Sequence, residues 1–424
     1  MSITRPKGFV AAGVKAGIKP SGKPDLALIV RTAPDGPGAA FAATFTTNVI
    51  VGAPIEIALG QRAAALAARV NASGAVHAVK AFLINAGNSN SATGQQGVRD
   101  AHECMAALAT ALNCERDRVM PSSTGVIGRL LPTAKIVDAV PALVQALASG
   151  PQADASAAAA IMTTDLVPKA AFAEVVIGGA KVSIGAIAKG SGMIAPRLDS
   201  ASGPPPPSAT MLAFITTDAA IDSPTLQTAL DAACGASFNR ISVDNHPSCS
   251  DTAAILSSGL VGPPIRASTR EFAAFAAALQ ALCEDLAEQI VTDGEGATRT
   301  FRVVVEGAAT DADAERMARE VVNSPLVKCA IHGRDPNWGR IVTAAGNAGV
   351  RFDPLQASLA IGPVVVYRSG VPLPEALVDP RLPVAMASKR VDCVLRVGTG
   401  PGRAWMIGCD LSAQYVSINA DYTT

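Results

Sequence analysis

Hydrophobic and polar positions follow two different periods along this chain, and each period indicates one kind of element. Short runs rich in valine and isoleucine predict strands at residues 82–85, 301–305, 363–367, 391–397, 404–409 and 415–419. Stretches with apolar residues three or four positions apart predict helices around residues 56–70, 98–112, 134–148, 269–291 and 311–322. This mixture predicts an α+β fold of layered sheets flanked by helices. In a chain of 424 residues we expect more than one domain, with 300–405 as a smaller C-terminal α/β subdomain.

Turn and capping residues mark the ends of two predicted elements. In a hairpin predicted at 174–188, the glycines at 178–179 supply the positive φ angles of a tight turn. Before the helix at 269–291, Ser268 and Glu271 have the spacing of a capping box.

The charge balance excludes several classes of function. Lysine plus arginine and aspartate plus glutamate each number 35, so the formal net charge is zero. We therefore expect no nucleic-acid partner and no attraction to an anionic membrane surface. The chain also lacks a run of about 18 apolar residues, so no membrane span is expected.

The cysteines and histidines do not have the spacing of metal ligands. The eight cysteines include no CxxC pair, and the four histidines form no HExxH motif. Residues 1–15 lack the apolar core of a signal peptide. We therefore expect reduced thiols, no metal and a cytoplasmic location.

A proline run lies shortly before a predicted core strand. The prolines at 204–207 favour an exposed, extended segment, for which an interdomain linker is the ordinary interpretation. The apolar run at 211–215 is typical of a buried strand. Thr210 thus stands where a loop enters the core, although β-propensity alone also explains a threonine there.

A series of short motifs along nearly the whole chain carries a family resemblance. In chain order they are STGVIG at 123–128, IMTTD at 161–165 with PK at 168–169, KGSGMIAP at 189–196, ATML at 209–212, DGEGAT at 293–298, NSPLVK at 323–328, HGRDPNWGR at 332–340 and NADYTT at 419–424. Each motif is weak alone, but in this order they resemble the ornithine acetyltransferase (glutamate N-acetyltransferase) family. The resemblance implies the DmpA/ornithine acetyltransferase-like fold and a self-cleaving enzyme of the N-terminal-nucleophile type.

Members of this family cut themselves at an Ala-Thr bond, which corresponds to Ala209–Thr210 in this chain. The resemblance implies an alpha chain of residues 1–209 and a beta chain of residues 210–424, assembled as a heterotetramer of two alpha and two beta chains. It also makes Thr210 the nucleophile. A freed α-amine, with an ordinary pKa of about 8, can take the proton of the hydroxyl on the same residue.

Further positions match the family's oxyanion hole and substrate-binding residues. Thr124 and Gly125 correspond to the oxyanion hole, whose donors stabilise the charge that develops on the acyl oxygen. The positions that match substrate-binding residues are Thr163, Lys189, Thr210, Glu295, Asn419 and Thr424. Lys189 suits a substrate carboxylate, and Glu295 suits the side-chain ammonium of ornithine.

The implied reaction is ping-pong transfer of acetyl from N-acetylornithine to glutamate in arginine biosynthesis. Small amino acids are the expected partners, and an acyl-threonine needs no metal or organic cofactor. Some family members also use acetyl-CoA to make N-acetylglutamate, and the sequence leaves this open. Two alternatives also stay open: a self-processing amidase or aminopeptidase with water as acceptor, and a relative with altered acceptor specificity or without catalysis.

Two stretches depart from the family pattern. Residues 197–209 form a longer segment before the cut than family members have, which can weaken the strain that self-cleavage needs. Residues 245–250 read NHPSCS where the family has GDTSTN, so His246 replaces an aspartate and Pro247 removes a backbone donor. We interpret His246 as a loop histidine rather than a new catalytic base.

The motif at 332–340 contains a histidine that is an attractive catalytic candidate, but a structural role is favoured. We expect Arg334, Asp335 and Arg340 to pair with one another.

Overall fold

The described part of the chain forms two units. The structure is a computed structural model that describes residues 2–36, 38–67, 79–199, 211–246 and 248–421. The first unit comprises the residues up to Asn239 together with His246–Ile290, and the second comprises Arg240–Asn245 and the residues from Val291 onward. The expected subdomain at 300–405 falls within the second unit. In the described ranges, no helix is long and apolar enough to cross a membrane.

Both units contain strands and helices. The strands are β1 (Phe9–Val14), β2 (Leu26–Arg31), β3 (Ala40–Thr46), β4 (Ala81–Asn88), β5 (Val119–Val126), β6 (Lys169–Ile177), β7 (Ala180–Lys189), β8 (Leu198–Asp199), β9 (Leu212–Ile221), β10 (Ile241–Ser242), β11 (Thr252–Ile265), β12 (Thr300–Ala308), β13 (Ser358–Ile361), β14 (Val364–Arg368), β15 (Val371–Pro372), β16 (Arg390–Arg396) and β17 (Gly402–Cys409). The helices are α1 (Ala53–Ala67), α2 (Gly94–Ala111), α3 (Thr133–Gln145), α4 (Pro151–Ala160), α5 (Ser223–Ala236), α6 (Arg270–Thr292), α7 (Asp311–Asn323), α8 (Pro325–Gly333), α9 (Trp338–Gly346), α10 (Arg381–Ala387) and α11 (Ala413–Asp421).

Two mixed sheets form the first unit. Within its described residues, the strand orders are β1-β2-β4-β5 and β6-β7-β9-β11-β3-β8. Alternate residues of both sheets share one apolar core with α1 and α4, where the rings of Phe82 and Phe214 lie 5.2 Å apart between centroids. Helices α2 and α3 cover the other face of the first sheet, and α5 packs against β3 and β11. This confirms the predicted layered α+β fold.

Strand β9 lies in the interior of its sheet, and every one of its residues is buried. It pairs in parallel with β11 and antiparallel with β7, so both of its edges are hydrogen-bonded. The sequence of a strand that is buried on both faces is a continuous apolar run, not an alternation of apolar and polar residues. The predicted core strand at 211–215 is therefore confirmed.

The second unit is built on one mixed sheet. Its described strands have the order β10-β17-β12-β16-β13-β14-β15. Strand β12 pairs in parallel with β16 and antiparallel with β17, and α7 packs on β12 and β17. The predicted strands at 301–305, 363–367, 391–397 and 404–409 all lie in this sheet, although β12 runs three residues further and β17 begins two residues earlier than predicted.

The predicted strand at 415–419 is wrong, because these residues lie in helix α11. Period-2 and period-3.6 patterns cannot be told apart over five residues. None of the α11 side chains is buried, and Val416 is 61% exposed. A helix closes its backbone hydrogen bonds within itself, whereas a strand at this point would need a neighbouring strand.

The predicted start of the long helix is shifted by one residue. Ser268 has a φ of +61°, and the cap is Thr269, whose hydroxyl accepts from the Phe272 N–H at 3.2 Å. The left-handed backbone at Ser268 turns the chain into the helix, so the capping oxygen comes from the next residue. The predicted hairpin is confirmed, with φ of +55° and +83° at Gly178 and Gly179.

We expect Phe214→Ala to lower the free energy of unfolding by about 3–5 kcal/mol, because the substitution leaves a cavity between the two sheets. Equilibrium urea unfolding followed by circular dichroism measures this loss. Val176→Ala is the matched control, since Val176 is 66% exposed and its loss costs within about 0.5 kcal/mol. An equal effect of both substitutions would contradict the shared core.

Candidate active site

A buried carboxylate holds the start of the strand that follows the predicted cut. Ala209–Thr210 and Thr424 lie outside the described residues, so their roles stay predictions. Met211 is fully buried and donates its backbone N–H to the side chain of Asp251. Thr252 donates its own N–H to the Met211 carbonyl at 2.9 Å. The chain therefore enters β9 at a fixed position.

The predicted oxyanion pair lies at an irregular point between β4 and β5. Thr124 is 1% exposed, and Gly125 has a φ of +131°. A Cβ atom at Gly125 would lie 2.4 Å from the carbonyl carbon of Gly87, so the close approach requires glycine. The strand register shifts at Gly87 and Asn88. Such irregularities are common next to active sites, because they re-aim groups that a regular ladder would pair.

A buried polar network fixes the backbone around this irregularity. The Ser123 hydroxyl donates to the Asn85 side-chain oxygen at 2.6 Å, and the Asn85 amide donates to the Asn88 carbonyl at 2.8 Å. The Asn88 side-chain oxygen accepts from the Asn90 N–H at 2.7 Å. Satisfied buried networks of this kind rigidify the segments they join.

Lys189 is a buried cation at the end of β7. It is 2% exposed, and its ammonium group donates to the Thr124 hydroxyl at 3.4 Å. The sheet register places Lys189 opposite Leu212 of β9. Two predicted site residues therefore contact each other beside the start of the strand that follows Thr210.

Thr163 is placed by Asp165, for which we predicted no role. The Thr163 N–H donates to one oxygen of the Asp165 carboxylate at 2.9 Å. The other oxygen accepts from the Gly190 N–H and from the Lys169 ammonium, both at 2.7 Å. Burial raises the pKa of Asp165, but the charges of Lys189 and Lys169 and the hydrogen bonds outweigh it and lower the pKa to about 2. Asp165 is therefore ionised at neutral pH.

Lys19 is a further residue of this region, and it lies outside the motifs. A Cβ atom at Gly87 would lie 3.0 Å from the Lys19 Cγ, so the lysine stem passes over the irregular strand pair. Burial lowers the pKa of Lys19, and the charge of Lys189 lowers it further, against the opposing charges of Asp25 and Asp165. The sequence around Lys19 has the composition of a plain loop, so pattern alone carries no signal for it.

In the second unit, two predicted substrate-binding residues contact each other. The Asn419 amide, on α11, donates to the Glu295 carboxylate at 2.9 Å, and Glu295 is 9% exposed. Tyr415, one turn before Asn419, donates its hydroxyl to Asp244 at 3.4 Å. Burial raises the pKa of Tyr415, and the negative charges of Asp244 and Glu295 raise it further. This acidic surrounding suits a cationic group.

The contacts of His332 are those of a structural residue. Its Nδ1 lies 2.7 Å from the Asp410 carboxylate, which also accepts from the N–H of Thr298 at 2.8 Å. Burial raises the pKa of Asp410, but the hydrogen bonds from Thr298 and His332 outweigh it and lower the pKa. His332 thus helps to fix a buried carboxylate.

The expected pairing among Arg334, Asp335 and Arg340 is wrong, because no ion pair joins them in the described part of the chain. Asp335 accepts from the Asn337 amide at 3.0 Å instead, while Asn337 itself caps α9. Arg340 donates to the Leu326 carbonyl at 2.9 Å. The side chains of Asp335 and Asn337 make local hydrogen bonds in the turn that caps α9, and these bonds take the place of an ion pair.

Residues 245–250, which differ from the family pattern, are held in place through the second half of the stretch. Ser248 is buried, and its carbonyl accepts from the Thr46 hydroxyl at 2.8 Å. His246 is exposed, which favours the interpretation as a loop histidine. Pro247 lies outside the described residues.

Potential metal ligands do not cluster among the described residues. No group of three or more histidine, cysteine, aspartate or glutamate side chains there is placed to hold a metal ion. The cysteines are free thiols, and burial raises the pKa of Cys104 and Cys393 to about 12, so these thiols stay protonated.

Comparison with known proteins gives matches along the whole chain. The ArgJ family matches residues 10–424. The arginine biosynthesis bifunctional protein ArgJ of Parasynechococcus marenigrum is 43% identical over 426 residues, covering 100% of this chain and 95% of that protein. The protein of the same name from Symbiobacterium thermophilum is 42% identical over 425 residues, covering 100% of this chain and 98% of that protein.

Two solved structures also match. A crystal structure of ArgJ from Bacillus halodurans is 41% identical with a TM-score of 0.48, and the match covers 50% of this chain and 100% of that one. Ornithine acetyltransferase from Mycobacterium tuberculosis, solved with ornithine, is 35% identical with a TM-score of 0.38, covering 47% of this chain and 96% of that one. On the sequence matches, which span the full length, the chain belongs to the ArgJ family, as its motifs predicted.

Proposed function

We propose that the chain transfers acetyl from N-acetylornithine to glutamate through an acyl-threonine at Thr210, as a step of arginine biosynthesis. One observation supports this most directly: Lys189 contacts the Thr124 hydroxyl and pairs opposite Leu212. Leu212 follows Thr210 closely in the chain. Segments that are far apart in sequence thus meet in one place. Membership of the ArgJ family, whose relatives carry the name arginine biosynthesis bifunctional protein, supports the same reaction.

The chemistry proceeds in two acyl transfers. The Thr210 hydroxyl oxygen attacks the acetyl carbonyl carbon while its proton passes to the α-amine of the same residue. The tetrahedral oxyanion is stabilised by donors at Thr124 and Gly125, each worth about 3–4 kcal/mol. The C–N bond then breaks, and the departing ornithine amine takes the proton. The α-amine of glutamate attacks the acyl-threonine in the same way and restores the free hydroxyl.

Substrate recognition rests on charge. Lys189 and Thr163 are proposed to recognise a substrate carboxylate. In the second unit, Glu295 with Asn419 suits a side-chain ammonium such as that of ornithine. Thr424 is a further proposed contact. Acetyl-CoA is proposed as a second acetyl donor, which the word bifunctional in the relatives' name supports.

Self-cleavage between Ala209 and Thr210 precedes the first turnover, because the α-amine that activates the hydroxyl does not exist in the uncut chain. It gives an alpha chain of residues 1–209 and a beta chain of residues 210–424. These chains stay together, since β9 of the beta chain is hydrogen-bonded to β7 of the alpha chain. The long segment at 197–209 becomes the free end of the alpha chain.

We further propose a cytoplasmic enzyme of two alpha and two beta chains that needs no bound cofactor. The free thiols support the reducing compartment. The covalent acyl-threonine supports the lack of a cofactor, because the protein itself supplies the nucleophile. Light scattering on the purified protein measures the number of chains.

Thr210→Ala should leave one chain of 42.9 kDa on a denaturing gel. It should not transfer acetyl, because the side chain has no hydroxyl and the uncut chain has no free α-amine at this position. The wild type should show two fragments of about half that mass. Sequencing the beta fragment should give Thr-Met-Leu as its first residues. Thr210→Ser is the control that keeps the hydroxyl and should still be cut.

A full-length wild-type chain that still transfers acetyl would contradict the cleavage. Release of free acetate in place of acetylglutamate, when acetylornithine and glutamate are mixed, would identify a hydrolase instead.

Gly125→Ala should lower kcat by about 100-fold or more, since a Cβ atom there displaces the Gly87 backbone and one oxyanion donor. Gly128→Ala, two residues beyond the end of β5, is the matched control. Gly128 also has a positive φ, of +78°, but a Cβ atom there meets no atom within 4 Å. Stopped-flow or steady-state assays give kcat for both, and equal losses would show that backbone strain alone is responsible.

Glu295→Gln should raise the KM for N-acetylornithine about 10- to 100-fold, because a charged hydrogen bond of about 1.5–3 kcal/mol is lost. The KM for glutamate, which has no side-chain ammonium, should change far less. Gln keeps an acceptor for the Asn419 amide, so the fold is preserved. Glu320→Gln, on an exposed position of α7, is the charge-loss control. An equal rise for both substrates would contradict the assigned role.

A further inference from the structure

The loop at 293–298, which carries Glu295, lies in the second unit shortly before β12. A turn inside the loop is closed by the Ala297 N–H, which donates to the Gly294 carbonyl at 2.9 Å. The Glu295 carboxylate needs partners from elsewhere, because a buried charge is tolerated only with hydrogen bonds. The described partners of this loop come largely from residues 410–419, which run from the end of β17 into α11.

Asp410 holds the far end of the loop. Its buried carboxylate accepts from the Thr298 N–H at 2.8 Å, from the Thr298 hydroxyl at 2.5 Å and from the Arg299 N–H at 3.1 Å. His332 contacts the same carboxylate through Nδ1 at 2.7 Å. Hydrogen bonds to an ionised carboxylate are among the strong ones, so the chain leaves the loop at a fixed position.

Ser412 holds the backbone directly after Glu295. Its buried hydroxyl donates to the Gly296 carbonyl at 2.6 Å. Gly296 has a φ of +68°, and a Cβ atom there would lie 2.5 Å from the backbone nitrogen of Tyr415. Only glycine allows the loop to approach the start of α11 so closely.

Asn419 holds the Glu295 carboxylate itself. Its amide donates to one carboxylate oxygen at 2.9 Å and to the Tyr415 carbonyl, one turn back in α11, at 3.0 Å. The bond to its own helix orients the amide, which in turn orients Glu295. The backbone and the side chain of Glu295 are therefore both held by residues 410–419, and a satisfied network of this kind is rigid.

A carboxylate that is fixed in place can distinguish side chains by their length. Ornithine and lysine differ by one methylene group, which moves the ammonium by about one C–C bond, or about 1.5 Å. A mobile carboxylate could follow either ammonium. A fixed one favours a single length, because a misplacement of about 1 Å already weakens a directed contact.

We propose that residues 410–419 make the site selective for the length of the substrate's side chain, with Ser412 as the positioning residue. Its hydroxyl fixes the backbone next to Glu295, so the carboxylate binds an ammonium after three methylene groups better than one after four. Ser412 itself does not touch the substrate. This inference rests on the proposed function, because it takes Glu295 as the residue that binds the ornithine side chain.

The test is a calorimetric titration of the whole protein with ornithine and, separately, with lysine. Neither amino acid carries an acetyl group, so binding is measured without turnover. In Ser412→Ala, the Kd for ornithine should rise about three- to tenfold, as expected for one lost hydrogen bond. The Kd for lysine should change by less than about twofold, because the loosened loop can adjust to the longer side chain.

Ser417→Ala is the matched control. Ser417 is an exposed residue of α11, and its hydroxyl donates to the Ala413 carbonyl of the same helix at 3.4 Å. Both Kd values should stay within about twofold of wild type in this variant. An unchanged ratio of the lysine Kd to the ornithine Kd in Ser412→Ala would overturn the proposal.

A double-mutant cycle with Glu295→Gln separates positioning from a general loss of structure, and it uses ornithine alone. If Ser412 acts through the Glu295 carboxylate, Ser412→Ala should change the ornithine Kd by less than about twofold once Glu295→Gln is present. The same rise with and without Glu295→Gln would overturn the proposal.

Thr298→Val keeps the test decisive if Ser412→Ala fails to fold. Thr298 is exposed, and this variant removes its hydroxyl bond to Asp410 at the other end of the loop. The ratio of the lysine Kd to the ornithine Kd should again fall, and an unchanged ratio in the folded variant would overturn the proposal. A wild-type protein that prefers ornithine to lysine but transfers no acetyl would refute the proposed function and leave this result readable.

Discussion

The buried ammonium group of Lys189 is the constraint on which the rest of the first unit depends. Taking an ammonium group out of water costs several kcal/mol unless hydrogen bonds and opposite charge replace the solvent. Here the replacement comes from separate segments: the Thr124 hydroxyl at the end of β5 and the Asp165 carboxylate before β6. Each must be held in place for the charge to be tolerated, so the strands and loops that carry them are fixed together.

The sheet that carries Lys189 also contains β9, the strand that begins shortly after the proposed nucleophile in the sequence. Lys189 pairs opposite Leu212, and the first described residue of that segment, Met211, is held by Asp251. Apolar packing holds the central parts of β7 and β9 in place. Buried polar contacts hold the end where Lys189 and Met211 lie. Catalytic residues at the end of a strand do not disrupt the core, because the rest of the strand provides the stability.

Much of the architecture could be predicted from local pattern, and the failures have physical causes. The helix at 269–291 and the strand at 211–215 were predicted well, since long or strongly apolar stretches have one stable environment. The strand predicted at 415–419 was a helix, because five residues do not distinguish the two periods. Ser268 was not the cap, because a positive φ moved the helix start by one residue.

By itself, the sequence determined the family, the fold class and the residues that match its site, since motifs preserve residue type and order. It assigned no role to Asp165, although this residue closes the IMTTD motif, and it did not indicate Lys19, because the role of each depends on the charges that surround it. Only the tertiary structure decided that Lys169 is paired while Lys189 faces Thr124. The reason is that the electrostatic state of a buried group depends on distances across strands and loops, and these distances exist only once the chain has folded.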